Sequence, residues 1–148
     1  MVRTRTTVKP GLLLQPAVLF QLVGRLVDEV IEGSEVVGVE YQVASWLNVV
    51  GRATPSELAS DLGLAPTTLS SVIERLVRKR QVRRVANPDD GRSYLLELTP
   101  RGKATNARNS ARLARVIARV RSNLELDEEE LLAQLRAFEV ALRASLEA

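Results

Sequence analysis

The sequence predicts a mainly α-helical fold with a small β-hairpin wing: a winged helix-turn-helix flanked by N- and C-terminal dimerisation helices. Three observations carry that expectation. Residues 54–78 hold two short helical patterns separated by Gly63-Leu64-Ala65. Residues 82–98 hold two runs of β-favouring residues, Val82–Val85 and Tyr94–Leu98, on either side of a polar, turn-rich tip. Outside these lie long apolar stripes at helical spacing.

Composition agrees with a folded, helix-rich chain. Its 148 residues are 45% hydrophobic and 26% charged, enough for one core. One Trp, two Tyr and two Phe leave the interior to Leu, Val and Ala, which favours helices. The formal charge of +3 is modest, but its distribution is not even. Between Pro66 and Arg84, Arg75, Arg78, Lys79, Arg80, Arg83 and Arg84 stand against the single acid Glu74, as on a phosphate-binding surface.

Cysteine and histidine are absent. Disulfides, thiol redox chemistry by this chain and the usual nitrogen and sulfur zinc ligands are thereby excluded, and neither metal nor cofactor is expected. No carboxylate pair, phosphate-cradling glycine loop or nucleophile motif is evident, so the chain is not expected to be an enzyme. No apolar run approaches the ~20 residues of a membrane span. The basic start MVRTRTTVKPG is followed by an amphipathic segment without a clear cleavage site, and a cytoplasmic location is expected.

Each element has a local reason. Residues 1–11 read as a flexible basic arm ending at the breaker pair Pro10-Gly11. A first helix is expected from about Leu12 to Ile31. Leu19, Leu22, Val23, Leu26, Val30 and Ile31 form its stripe, and Pro16 is tolerated in a first turn or as a kink. A second, about Val39 to Val50, carries Val43, Leu47 and Val50 and closes at Gly51. Thr54-Pro55-Ser56-Glu57 is a capping box with proline at the first helical position, and Gly63 ends that helix. Pro66 opens the next, with Leu69, Ile73, Leu76 and Val77 inward and Thr67, Ser71, Glu74 and Arg78 outward. After the hairpin, Thr99-Pro100 starts a long helix through about Arg121. Asp127 with Glu130 reads as a capping box for a final helix.

The wing segment Asn87-Pro88-Asp89-Asp90-Gly91-Arg92, followed by Leu98-Thr99-Pro100-Arg101-Gly102, resembles the MarR family of dimeric winged-helix regulators. An aspartate, an arginine two residues on, and Leu-Thr at the wing's end match that family's pattern. Pro-Ser-Glu-Leu-Ala-Ser-Asp-Leu-Gly and Leu-Ser-Ser-Val-Ile-Glu-Arg-Leu upstream are of the same type. The likeness runs from the first helix to the last. It implies a homodimeric, ligand-responsive repressor that binds a pseudo-palindromic operator in double-stranded DNA, with a small-molecule effector cleft near Tyr41 and Trp46; read from the helix itself, a lone Tyr and Trp are more often core residues. One departure stands out: the family usually has glycine after the recognition helix, where this chain has Lys79-Arg80. If that position takes a left-handed backbone, arginine costs roughly 1 kcal/mol. Alternatively, the helix runs on slightly before the wing.

The candidate DNA-binding residues follow from reach and charge. Arg92, on a thin hairpin, gains electrostatically by entering a narrow minor groove, the alternative being a surface ion pair that stabilises the hairpin; Asp90, two residues away, is close enough to hold the guanidinium extended and is expected to be structural. Pro66, Thr67, Thr68, Ser70 and Ser71 mark a helix N-terminus with small and hydroxyl side chains suited to bases or phosphates. Arg75 is expected to reach a base or a phosphate, or to pair with Glu74 or Asp61. Lys79, Arg80, Arg83 and Arg84 are expected on phosphates. The stripe Arg108, Arg112, Arg115 and Arg119 reads as a solvated face or a guide for an anionic effector. Dimer contacts are expected from Leu19, Leu22 and Leu26 and from Leu131, Leu135, Phe138 and Leu142, the alternative being that these seams close a monomer core. The functional partition is then 1–11 arm, 12–34 and 101–148 dimerisation region, and 35–100 DNA-binding domain. A winged helix used for protein–protein contact in a transcription or replication assembly is the alternative.

Overall fold

The order of elements is α1 (Leu14–Ile31), α2 (Val39–Val50), β1 (Arg52–Ala53), α3 (Pro55–Leu62), α4 (Pro66–Arg78), β2 (Val82–Ala86), β3 (Tyr94–Leu98), α5 (Pro100–Ser122) and α6 (Glu128–Leu146). The computed structural model describes residues 11–147. The expected basic arm therefore lies outside the described residues except for Gly11.

Local signals set most boundaries. Pro16 falls in the first turn of α1, where its missing N–H leaves no intrahelical bond unmade. Thr54 Oγ1 accepts from the Glu57 N–H at 3.2 Å while Glu57 Oε2 accepts from the Thr54 N–H at 2.7 Å, the reciprocal pair expected before α3. Gly63, at φ 62°, closes that helix. At α6, Asp127 Oδ1 accepts from the Glu130 N–H at 2.9 Å. The second half of that box does not form among the described residues: Glu130 instead accepts from Gln134 Nε2 at 3.3 Å.

The sheet departs from expectation. It has three antiparallel strands in the order β1-β3-β2, not a two-stranded hairpin alone. The added strand is only Arg52–Ala53, too short to show a period-2 alternation in sequence. Its register sets Arg52 opposite Glu97 and Ala53 opposite Leu96, while β2 sets Arg83 opposite Glu97 and Val82 opposite Leu98. Ala53, Leu96, Leu98 and Val82 are buried on one face. Glu97 is left between two arginines on the other.

The core of the reading head is aliphatic: Leu47, Leu58, Leu69, Ile73, Leu76 and Leu96 are all fully buried. Each contributes about 1.5–3 kcal/mol relative to exposure. These residues come from α2, α3, α4 and β3, so the same burial fixes the helix-turn-helix against the wing.

The end of α4 resolves the two alternatives left open above. Gln81 N–H donates to Leu76 O and Arg80 N–H to Val77 O, each at 2.9 Å, the two bonds of a Schellman stop. Arg80 occupies its left-handed position at φ 56°. The Thr99-Pro100-Arg101-Gly102 segment docks on this corner. Thr99 Oγ1 donates to Arg80 O at 2.6 Å and accepts from the Gly102 N–H at 3.0 Å. The Thr99 N–H donates to Gln81 O at 3.0 Å. A Cβ at position 102 would come within 2.0 Å of that same Gln81 oxygen, which is why glycine stands there.

The chain divides after Arg112 into two compact units. The start of α5 belongs to the first: Asn106 Oδ1 accepts from Ser45 Oγ at 3.2 Å, and Asn109 Nδ2 donates to Ser34 Oγ at 2.9 Å. Arg112 Nη1 donates to Glu32 O at 2.6 Å and Val30 O at 3.4 Å, the carbonyls at the end of α1. One member of the arginine stripe is thus a helix cap rather than a solvated charge. Within the second unit, Arg121 pairs with Glu128 at 2.6 Å.

Candidate nucleic-acid interface

The N-terminal turn of α4 is open. Pro66, Thr67, Thr68, Ser70 and Ser71 are exposed. The residue before the helix, Ala65, supplies no side-chain cap. The first backbone N–H groups, with the helix dipole behind them, are left for an external acceptor. Ser71 Oγ turns back to Thr67 O at 3.3 Å.

Further along α4 the cations are held. Glu40, from the first turn of α2, is 1% exposed. Its Oε1 accepts from Arg75 Nε at 2.9 Å and its Oε2 from Lys79 Nζ at 2.6 Å. Oε2 also accepts from the Val37 N–H at 3.3 Å. The acid that Arg75 finds is therefore neither Glu74 nor Asp61, the two partners expected from sequence. Burial works against the charged form of Glu40, yet the Lys79 and Arg75 hydrogen bonds, with Val37, hold its carboxyl below the usual range. The signal was present in the sequence: Glu40 shares the i, i+3, i+4, i+7 stripe of Val43, Ala44 and Leu47, where a charge needs a partner.

The wing base is similarly braced. Arg52 Nε donates to Glu97 Oε2 at 2.5 Å and Arg83 Nε to Glu97 Oε1 at 2.6 Å. The Arg52 and then the Arg83 hydrogen bond hold the Glu97 carboxyl below the usual range against its desolvation. Arg84 lies over the Tyr94 ring, 4.9 Å from the centroid. Each of Arg83 and Arg84 keeps its charge at the surface but is oriented by a neighbour.

At the tip, Asp90 Oδ1 accepts from the backbone N–H of Arg92 at 3.0 Å. The aspartate shapes the turn through the main chain instead of steering the guanidinium. Asn87 Nδ2 donates to Ser93 Oγ at 2.7 Å and closes the loop from the other side. Among the described residues, neither Arg80 nor Arg92 has an ion-pair partner.

Tyr41 and Trp46, expected near an effector cleft, are placed differently from one another. Tyr41 is buried in the core of the head. Trp46 Nε1 donates to Asp61 Oδ2 at 3.0 Å, tying α2 to α3. A cleft of about 640 Å³ opens instead between the end of α2, the outer face of the sheet and the start of α5. Leu47, Asn48, Arg52, Arg83, Glu97 and Lys103 are among its lining residues. No group of three or more metal-ligating side chains occurs among the described residues.

Comparison with known proteins finds relatives in sequence and in fold. The profile of the MarR family matches residues 36–93. The multiple antibiotic resistance protein MarR of Salmonella typhimurium is 30% identical over 80 residues, covering 54% of this chain and 56% of that protein. MarR of Escherichia coli is 31% identical over a stretch of the same length. The chain thus spans about half the length of these curated relatives. Among solved structures, a mutant E. coli MarR complexed with operator DNA superposes with a TM-score of 0.74 at 26% identity, over 83% of this chain and 89% of that one. The PcaV transcriptional regulator of Streptomyces coelicolor, in complex with its natural ligand, gives 0.75 at 26% identity, over 97% and 99%.

Proposed function

We propose that this chain is a member of the MarR family and a sequence-specific, double-stranded DNA-binding regulator of transcription, a reading supported by the matched family profile, the curated relatives and the solved structures. In this reading it acts in the cytoplasm as a homodimeric repressor on a pseudo-palindromic operator and responds to a small-molecule effector. It is not an enzyme.

The observation that carries the reading is the arrangement of the head. An uncapped, hydroxyl-bearing helix start and a wing arginine free of any ion pair among the described residues belong to one packed unit. Polar groups at the first can bond base edges and phosphates, and the second can enter a minor groove.

The dimer is supported by apolar side chains left uncovered on one chain. Leu19 and Leu22 of α1 are 43% and 49% exposed, and Leu135 and Leu142 of α6 are 46% and 37% exposed. Leu26, Leu131 and Phe138 are half-buried. Apolar faces of this extent are ordinarily covered by a partner. A two-fold dimer would set two recognition helices about one DNA turn, ~34 Å, apart. Operator binding and effector response are supported by the operator-bound MarR and the ligand-bound PcaV.

Selection of duplexes from a random pool, followed by titration of the enriched sequence, tests the reading. Arg92→Ala should weaken the enriched duplex by about 1–3 kcal/mol while sedimentation still reports a dimer. Unchanged affinity would reject the wing contact. A salt-independent interaction would favour the protein–protein alternative, because phosphate contact releases counterions.

A further inference from the structure

The buried carboxylate of Glu40 grips the recognition helix in an unusual way. Arg75 and Lys79 lie four residues apart, on one helix face, and both converge on it. The bond to Arg75 runs through Nε, at 2.9 Å, and the arginine side chain keeps 44% of its exposure. A fork-to-fork pair would consume both ends of a guanidinium edge. Here the Nη1/Nη2 fork stays unspent, and that fork is the geometry that matches O6 and N7 of a guanine in the major groove. Lys79, by contrast, has its charge met at 2.6 Å by a carboxylate almost wholly withdrawn from water.

We propose that Glu40 is a positioning residue for sequence readout. It anchors Arg75 by Nε so that the terminal fork is presented in one orientation, and it damps the indiscriminate phosphate attraction of Lys79. Selectivity, more than total affinity, then depends on a side chain from α2 that itself stays away from DNA. The proposal rests on the reading that α4 enters the major groove. Pre-orientation matters because an unrestrained arginine loses rotamer freedom on binding, and a held one has already lost it.

The test uses the full chain, the duplex enriched from a random pool by the unmodified protein, and a mixed-sequence duplex of equal length. Glu40→Gln keeps the shape and an acceptor for the Val37 N–H. It should weaken the enriched duplex about five- to 150-fold, the range of one lost base contact. Affinity for the mixed duplex should hold or rise, and the slope of log K against log salt should steepen by about one as Lys79 is released to a phosphate. Arg75→Ala on the Glu40→Gln background should add no further loss of selectivity. Arg75→Lys guards against a misfolded glutamine variant. It keeps the charge pair with Glu40 but has no fork, so selectivity should fall with the salt slope unchanged. A parallel fall on both duplexes, or selectivity kept in either single variant, overturns the role of Glu40 alone. Failure of the unmodified protein to enrich any duplex overturns the DNA-binding reading with it.

Discussion

Replacing Arg80 by glycine should stabilise the protein, whereas replacing it by alanine should not. The reason is local. Arg80 sits at φ 56°, in the left-handed region, where an L side chain crowds its own carbonyl at a cost of about 1–2 kcal/mol. Glycine removes that crowding but has more freedom to lose on folding, which takes back about 0.5–1 kcal/mol. The net expectation is a gain of about 0.5–1 kcal/mol. Among the described residues Arg80 bonds through its main chain: its N–H donates to Val77 O at 2.9 Å, and its carbonyl accepts from Thr99 Oγ1 at 2.6 Å. Both survive in either variant. Alanine keeps the strain, loses only the exposed side chain, and should fall within about 0.5 kcal/mol of the parent. For a chain of this size the glycine variant should melt roughly 1–4 °C above the alanine variant. Urea unfolding and thermal melts at one fixed protein concentration provide the assay, since association shifts apparent stability. A glycine variant no more stable than the alanine one would refute the strain argument.

Two further outcomes are expected. Gly102→Ala drives a methyl group within 2.0 Å of the Gln81 carbonyl oxygen, which is backbone and has little room to yield. It should lower the urea-unfolding free energy by about 1–3 kcal/mol, measured against a neighbouring surface substitution, Lys103→Ala. Glu97 has a folded pKa below its unfolded value through Arg52 and Arg83. Its stabilisation is therefore fully present above about pH 4.3 and is lost as pH falls through the lower, folded value. Glu97→Gln should flatten the acid limb of the stability profile while lowering stability near neutrality; an acid limb of unchanged steepness would count against the pairing.

How far the fold was legible depends on the range of each signal. Thr54, Pro55, Glu57 and Gly63 mark α3 from within its own length, and the structure forms the bonds they announce. Pro66 and the Leu69, Ile73, Leu76 spacing did the same for α4. The wing tip was marked by turn residues, although Asp90 serves the Arg92 main chain rather than its guanidinium. The strand Arg52–Ala53 was hidden because two residues carry no period, and its existence depends on β3, some forty positions away.

Residue order alone marked where α3 starts and stops, where α4 and α6 begin and which cations reach the surface, because caps, turns and amphipathic spacing act within about one helical turn of chain. Tertiary structure alone decided what those cations do. It brought Glu40 to Arg75 across 35 residues, set Glu97 between Arg52 and Arg83, and laid Arg112 on the end of α1. A carboxylate withdrawn from water recruits whichever cation packing delivers, and only the assembled core specifies which one that is.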